Sequence, residues 1–450
     1  MKNWKETALA ETASPVLAEA DVVVCGGGPS GVAAAVMSAR NGLKTILIEK
    51  NGFCGGGAVA GLSGTICGLF LTQDDIENKN AKQIVFGFAE EFRARLLAKG
   101  GATAPQIYGN THVVTFDPLI WREAADDLLE ESGVQCLYHT YMTEVVRDGD
   151  DITAIRVESK AGSTFLKAKA FIDTSGDAAL VTKAGCEYSF GDNGAIQNPT
   201  MIFRLSDVVE SDFYDYFGKN TICPPDMIEQ LKTAFESREY DTPRNKVWVF
   251  PTPQKGVFLM NCTRLAGQDN RLLNVVDPAD FTYAEVYGRR QAREYHRFFK
   301  DKIKGFEESQ LIDMPPEVGI RQTRTISGES TLTNEQVANC DKPEDGVVRS
   351  SWPIEMHAGE KSKLHWLMED YYEVPYGTLV PKELDNVIVA GRCLSAEHEA
   401  LASARVTAQC FELGHAAAVA TKQKIEKAIN YRDVDTKELR EAMRAAGSAL

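Results

Sequence analysis

Gly26, Gly28 and Gly31 stand at the spacing G-x-G-x-x-G, behind the apolar run Val22-Val23-Val24-Cys25 and ahead of Ala33-Ala34-Ala35. Each glycine has a separate task in dinucleotide binding. Gly26 permits a sharp turn, Gly28 lets the backbone approach a pyrophosphate, and Gly31 lets helix and strand pack closely. The pyrophosphate then meets the positive end of the helix, where unpaired N–H groups point outward. Glu49 closes the next apolar run, Thr45-Ile46-Leu47-Ile48, and is positioned to accept hydrogen bonds from an adenosine ribose.

The elements that must hold these residues are a strand, a helix and a second strand in that order. Beyond them, Gly52 to Gly57 is too glycine-rich for a regular element. Residues 81–99 carry Ile84, Phe88, Phe92 and Leu96 on one helical stripe. Asp117 and Pro118 read as N-cap and first residue of a helix running to about Glu131. Val134 to Tyr138 is the next expected strand, and Glu144–Arg147 with Ile152–Glu158 forms a hairpin around Asp148-Gly149-Asp150. A strand from Ala168 to Asp173 follows. Residues 190–355 change character, with short strands at Val247–Phe250 and Val257–Asn261 and a charged helix over Tyr283–Lys302. The first pattern then returns: Asn386 to Gly391 is a buried strand ending in glycine, and a long helix of small residues spans about Leu401 to Ala420. Thr436–Arg444 reads as a solvated terminal helix.

A chain of 450 residues has room for two domains, and 44% hydrophobic with 25% charged residues is ordinary globular composition. The net charge of −15 argues against nucleic acid or an anionic membrane surface as main partner, while leaving room for a local basic pocket. Lys2, Lys5, Glu6, Glu11 and Glu19 interrupt the first twenty residues, so these are not expected to be a signal peptide. Ala58 to Leu71, the most apolar later stretch, is too short to span a bilayer. Ten scattered cysteines suit a reducing cytoplasm, and no C-x-x-C pair occurs. The seven dispersed histidines form no H-x-x-x-H, so no metal site is expected.

Five separated motifs resemble the FAD-dependent oxidoreductase family, among the glutathione-reductase-like flavoproteins. They are Cys25–Gly31 with Glu49; Gly55-Gly56; Phe171-Ile172-Asp173-Thr174-Ser175-Gly176-Asp177; Gly319 to Arg324 through Gly328-Glu329; and Val374-Pro375-Tyr376 through Gly391-Arg392-Cys393-Leu394-Ser395, continuing to His398-Glu399 and Arg405. The resemblance implies an α/β fold: a Rossmann-like FAD-binding domain of glutathione-reductase type, residues 1–189 with 356–450, carrying an inserted α+β substrate or cap domain, residues 190–355. It implies FAD as cofactor, held by Gly26, Gly28, Pro29, Ser30, Gly31, Glu49, Lys50, Gly55, Gly56, Thr174, Gly176, Asp177, Gly391 and Arg392. One departure stands out. Many relatives have Gly-Asp at the position of Gly391-Arg392, with the Asp on the ribityl chain, so that contact must come from backbone or another residue.

The implied chemistry is hydride transfer between a small organic substrate and flavin N5, in the dehydrogenase or oxidase direction or as reduction of an activated double bond. Such a site needs a cation or helix N-terminus near flavin N1 and the C2 oxygen. The start of the 401–420 helix offers its dipole, about 0.3–2 kcal/mol, and Arg405 or His398 a full charge. His398 beside Glu399 is the candidate for proton transfer, since histidine titrates near about pH 6.5. Arg321, Arg324 and His357 from the cap are candidates for binding a carboxylate or phosphate, or else for salt bridges within the cap. Cys54 is a redox thiol, a flavin tether or an inert buried residue; its distance from Cys67 in sequence disfavours thiol–disulfide chemistry. Two alternatives remain. One is an NAD(P)-dependent dehydrogenase, against which the second glycine-ended strand counts. The other is a flavin-carrying electron-transfer subunit. An electron-acceptor partner and a homo-oligomer both stay open.

Overall fold

Residues 16–356 and 363–450 are described by the structure, a computed structural model. His357 lies outside the described residues. Strand β1 (Val16–Cys25) leads through the glycine turn into helix α1 (Pro29–Arg40), and β2 (Thr45–Ile48) returns beside β1 in parallel, Val22 opposite Thr45 and Cys25 opposite Ile48. Pro29 at the first helical position fixes φ and lacks the N–H that would be orphaned there. Asp117 caps α2 (Pro118–Glu131) by accepting from the Leu119 N–H, and β3 (Gln135–Leu137) then joins β2 in parallel.

The hairpin β4 (Tyr141–Asp148) and β5 (Asp151–Ser159) leads into β6 (Gly162–Asp173), which is longer than the expected Ala168–Asp173. Its extra N-terminal residues pair antiparallel with β5, whereas its last three pair parallel with the late strand β11 (Val387–Val389). Its opposite edge is parallel to β1. The central parallel strands are therefore ordered β3-β2-β1-β6-β11, and β2, β11 and the end of β1 are buried on both faces, which explains the unbroken apolar runs Val22–Val24 and Val387–Val389.

Between β6 and β11 lies a four-stranded antiparallel sheet: β7 (Phe203–Ser206), β8 (Trp248–Pro251), β9 (Phe258–Asn261) and β10 (Gln310–Asp313), in the order β8-β9-β7-β10. Helix α3 (Pro278–Lys302), capped by Asp277, supplies Tyr295, Phe298 and Phe299 to the core beneath it. That second core runs from Met201 to Val318; the buried residues Leu332, Val347, Val348 and Ile354 belong to the first core instead.

Three expectations need correction. The long C-terminal helix is two helices, α4 (His398–Ala404) and α5 (Thr407–Lys427), broken at Arg405-Val406. Val406 is extended there (φ −78°, ψ 166°), and the Ala408 N–H bonds to the Cys67 carbonyl at 3.1 Å. The 81–99 helix begins only at Phe88, because Gly87 (φ 61°) precedes it and the Ile84 and Val85 N–H groups bond to Leu69. The terminal helix Thr436–Ala445 is docked, not solvated, since Leu439 and Met443 are fully buried. Helix α5 packs on α1 so closely that a methyl carbon at Gly414 would sit 2.1 Å from the Ser30 carbonyl oxygen. Among the described residues no helix is long and apolar enough to cross a membrane.

Candidate functional site

The carboxyl ends of the parallel strands open onto a cavity of about 720 Å³, inside the usual range for ligand sites. Its first wall is the glycine turn. Gly26 has φ 109°, and the Thr174 hydroxyl donates to its carbonyl oxygen at 2.7 Å. A methyl carbon on Gly31 would lie 1.8 Å from that same oxygen, whereas one on Gly28 would meet only the Gly56 Cα, at 3.9 Å. Gly31 is thus consumed by packing, and Gly28 leaves open space in front of α1, whose N-terminus no side chain caps. Pro29 and Ser30 line the same space.

Glu49 is buried, and its two oxygens accept the Gly27 N–H at 2.7 Å and the Asn51 N–H at 2.8 Å. Burial raises its carboxyl above the usual range, against the pull of those two bonds. Each oxygen keeps a lone pair for a ligand hydroxyl. Beside it, Lys50 reaches Glu317 at 2.7 Å and ties this loop to the inserted segment. The Gly55 N–H bonds to the Gly27 carbonyl at 2.7 Å, and Gly56 (φ 47°) lies against Gly28. Cys54 is behind this layer, outside the cavity lining. Its hydrogen bond with Cys136, together with burial, pushes the thiol well above its ordinary value, as suits an inert side chain.

The second wall forms where β6 and β11 end. Asp173 is buried and clamps its own turn, accepting from the Ser175 and Leu180 N–H groups at 3.0 and 2.8 Å. Asp177 accepts from the Thr323 hydroxyl at 2.6 Å and pairs with Arg392 at 2.9 Å; Arg392 also donates to the Gly176 carbonyl at 3.0 Å. Arg392, where a carboxylate was expected, instead holds the neighbouring carboxylate of Asp177 on the cavity wall. Gly391 (φ 92°) packs against Ser30, which brings the last strand onto the glycine turn.

The remaining wall comes from the inserted segment and the α4–α5 break. Arg321 is buried and donates to the Asn198 carbonyl at 2.8 Å; Arg405 donates to Gln197 at 3.1 Å. Burial lowers both guanidiniums, that of Arg405 to about 10. Tyr108, Ile202, Phe250 and Trp352 line this part, with the Tyr108 hydroxyl donating to buried Glu355 at 2.8 Å. Of the residues singled out for chemistry, Arg321, Arg324 and Arg405 line the cavity, while His398 opens α4 half-buried and outside the lining. Its imidazole is held below the ordinary histidine value by burial. Sequence reasoning missed Tyr108 and Glu355, which line the cavity from separate segments with no motif around them.

The cradle suits FAD in three respects: open space before Gly28, a buried acceptor at Glu49, and a second acidic group at Asp177 along one cavity. A family model described as FAD dependent oxidoreductase matches residues 21–443. Over 195 residues the chain is 31% identical to a thiamine thiazole synthase of Archaeoglobus fulgidus, covering 39% of this chain and 65% of that protein. Among solved structures, a geranylgeranyl bacteriochlorophyll reductase-like protein from Thermoplasma acidophilum matches with TM-score 0.51 at 14% identity, over 95% of this chain and 83% of that one. A triple mutant of a flavin-dependent brominase matches with TM-score 0.50 at 12% identity, over 95% and 84%. At such identities the likeness is one of fold.

Proposed function

The chain belongs to the FAD dependent oxidoreductase family, and from that premise we propose that it transfers a hydride between a small organic substrate and flavin N5. The direction is that of a dehydrogenase or oxidase, or in reverse a reductase of an activated double bond. A single observation carries this reading: one cavity is lined both by the dinucleotide cradle of Gly26, Gly28 and Glu49 and by Arg321, Arg405 and the aromatic wall. FAD, when bound, supplies the two-electron hydride acceptor or donor.

The chain's own residues divide the remaining work. Gly28 and the α1 N-terminus take the pyrophosphate, Glu49 the ribose, and Asp177, oriented by Arg392 and Thr323, the ribityl hydroxyls. Arg405 and the N-terminus of α5 provide positive potential without reorganisation during reaction. The inserted segment excludes water and orients the substrate. We read the fold as the glutathione-reductase type, because β11 adds Gly391 to the same cavity wall as the first glycine turn. A simple nicotinamide domain has no use for that strand, which weighs against an NAD(P)-dependent enzyme.

The test is a purified sample. Denaturation should release FAD at about one per chain, and a substrate panel should bleach the bound flavin anaerobically. A protein that releases only a nicotinamide nucleotide, or that rejects FAD on reconstitution, ends this reading.

A further inference from the structure

Residues 317–324 lead from the inserted segment back toward the parallel sheet, and they fasten to the dinucleotide cradle at two separated points. At one end the Lys50 ammonium pairs with Glu317 at 2.7 Å, and the Glu317 N–H donates to the Ala60 carbonyl at 3.1 Å. At the other, the Thr323 hydroxyl donates to the Asp177 carboxylate at 2.6 Å and Arg324 Nε to the Asp177 carbonyl at 2.8 Å, while Arg392 donates to the Ile320 carbonyl. Lys50 directly follows Glu49 in the chain, and Asp177 stands on the second wall, so the segment bridges the two walls of the cradle. Its middle touches the cradle too: a methyl carbon at Gly61 would come within 3.2 Å of the Gly319 Cα. Glu317, Gly319, Ile320, Arg321 and Arg324 all line the cavity.

The fastenings are of a kind that can part. Val318 belongs to the core of the inserted segment and Ile326 to a core on the parallel sheet, and no residue between them joins a hydrophobic core. The anchors on the cradle are polar and stand at the cavity rim, with the Lys50 and Glu317 side chains 45% and 21% exposed and those of Asp177 and Arg392 33% and 17%. Water can satisfy these groups once they separate, and no apolar core is opened, so the segment belongs to the low end of local stability. Its inner bonds run elsewhere: Gly319 exchanges two with Thr200, at 2.7 and 3.0 Å, and Arg321 donates to the Asn198 carbonyl at 2.8 Å. The two crossings of the insertion are thus paired with each other, while only rim contacts hold them down on the cradle. We propose that residues 317–324 are a strap over bound FAD, latched by the Lys50–Glu317 pair, and that the cofactor enters and leaves only when this latch opens. The inference rests on FAD lying in the cavity from Glu49 to Asp177.

The test follows cofactor exchange. FAD-loaded protein is diluted and release is read from recovery of flavin fluorescence; rebinding is read from its quenching when free FAD is returned. A latch closed in both the loaded and the empty protein slows exchange in both directions. Lys50→Met and Glu317→Gln should therefore each speed release and rebinding by the same factor, about 1.5–5-fold for a partly exposed ion pair, leaving their ratio, the affinity, unchanged. The double variant should be no faster than either single one, and high salt, which screens exposed pairs, should close the gap between wild type and variants. Unchanged rates in both variants overturn the proposal. So does faster release with unchanged rebinding in Lys50→Met alone, which would make Lys50 a direct ligand of the phosphates. Rebinding slowed in Lys50→Met but speeded in Glu317→Gln would be plain steering of an anion and overturns it equally. A wild-type protein that takes up no FAD defeats the cofactor reading itself, an outcome distinct from all of these.

Discussion

Gly28 and Gly31 sit three residues apart in one turn, and the structure predicts opposite consequences for filling them. Gly28 has φ −68° and ψ −177°, extended backbone open to any residue, and an added Cβ meets nothing closer than 3.9 Å. Gly28→Val should therefore cost the protein without FAD no more than an ordinary surface change, about 0.5 kcal/mol. Its branched side chain, however, fills the space before the α1 N-terminus. Loss of two charge-assisted N–H···phosphate bonds, at about 1.5–3 kcal/mol each, weakens FAD by roughly 10²–10⁴-fold. Gly31→Ala is the reverse case. Its Cβ would lie 1.8 Å from the Gly26 carbonyl oxygen, which cannot be accommodated without moving backbone on one side or the other. Overpacking of that kind costs about 1–3 kcal/mol or more, and it moves the turn as well. Urea denaturation of both variants without FAD, followed by reconstitution monitored through quenching of flavin fluorescence, separates the two effects. A Gly28→Val protein that binds FAD like the wild type, or that is already destabilised without FAD by as much as Gly31→Ala, refutes the assignment of these two roles.

Leu439→Ala should destabilise by about 2–5 kcal/mol in a urea titration, because that side chain is fully buried; a change within about 0.5 kcal/mol would mean a solvated helix after all. His398 has a folded pKa below its ordinary value, so the native state binds fewer protons than the unfolded chain between that lowered value and about 6.5. Stability should thus be full above about pH 6.5 and fall as pH drops toward the folded value. His398→Gln should flatten part of that slope in melting curves, and only part, since His112 and His296 are lowered in the same direction. Asp177→Asn removes a partly exposed pair with Arg392 and should change stability by less than about 1 kcal/mol. It should nonetheless weaken FAD retention on desalting by about tenfold or more if that carboxylate meets the ribityl chain.

The parts of the fold legible in the sequence are those with local signals. Asp117 and Pro118 announce α2 because cap chemistry acts over three residues, and its end at Glu131 agrees with the apolar period. Asp148-Gly149-Asp150 marks the β4–β5 turn because Gly149 takes φ 60°. The glycine turn is legible for the same reason. What local pattern does not carry is the break at Arg405-Val406, where small residues run on at helical spacing and only the tertiary bond from Ala408 to Cys67 shows why the helix restarts. The docked terminal helix escapes for a similar reason: two large apolar side chains among ten mostly polar residues read as surface until a groove is present to receive them.

The site divides along the same line. The wall built from the glycine turn is a set of spacings, and the departure at Arg392 pairs with Asp177, whose motif was already visible. Its opposite wall brings together Tyr108, Arg321, Trp352, Glu355 and Arg405 from distant segments; Arg321 and Arg405 stand in visible motifs, but no period or spacing joins them to the other three. The overall charge of −15 conceals them further, because it averages over exposed carboxylates that water screens. Arg321 is removed from water and acts at much lower dielectric, so one buried charge can outweigh several exposed ones within the cavity. An acidic chain can therefore carry a locally basic cavity wall, and net charge does not reveal which arginines the fold desolvates.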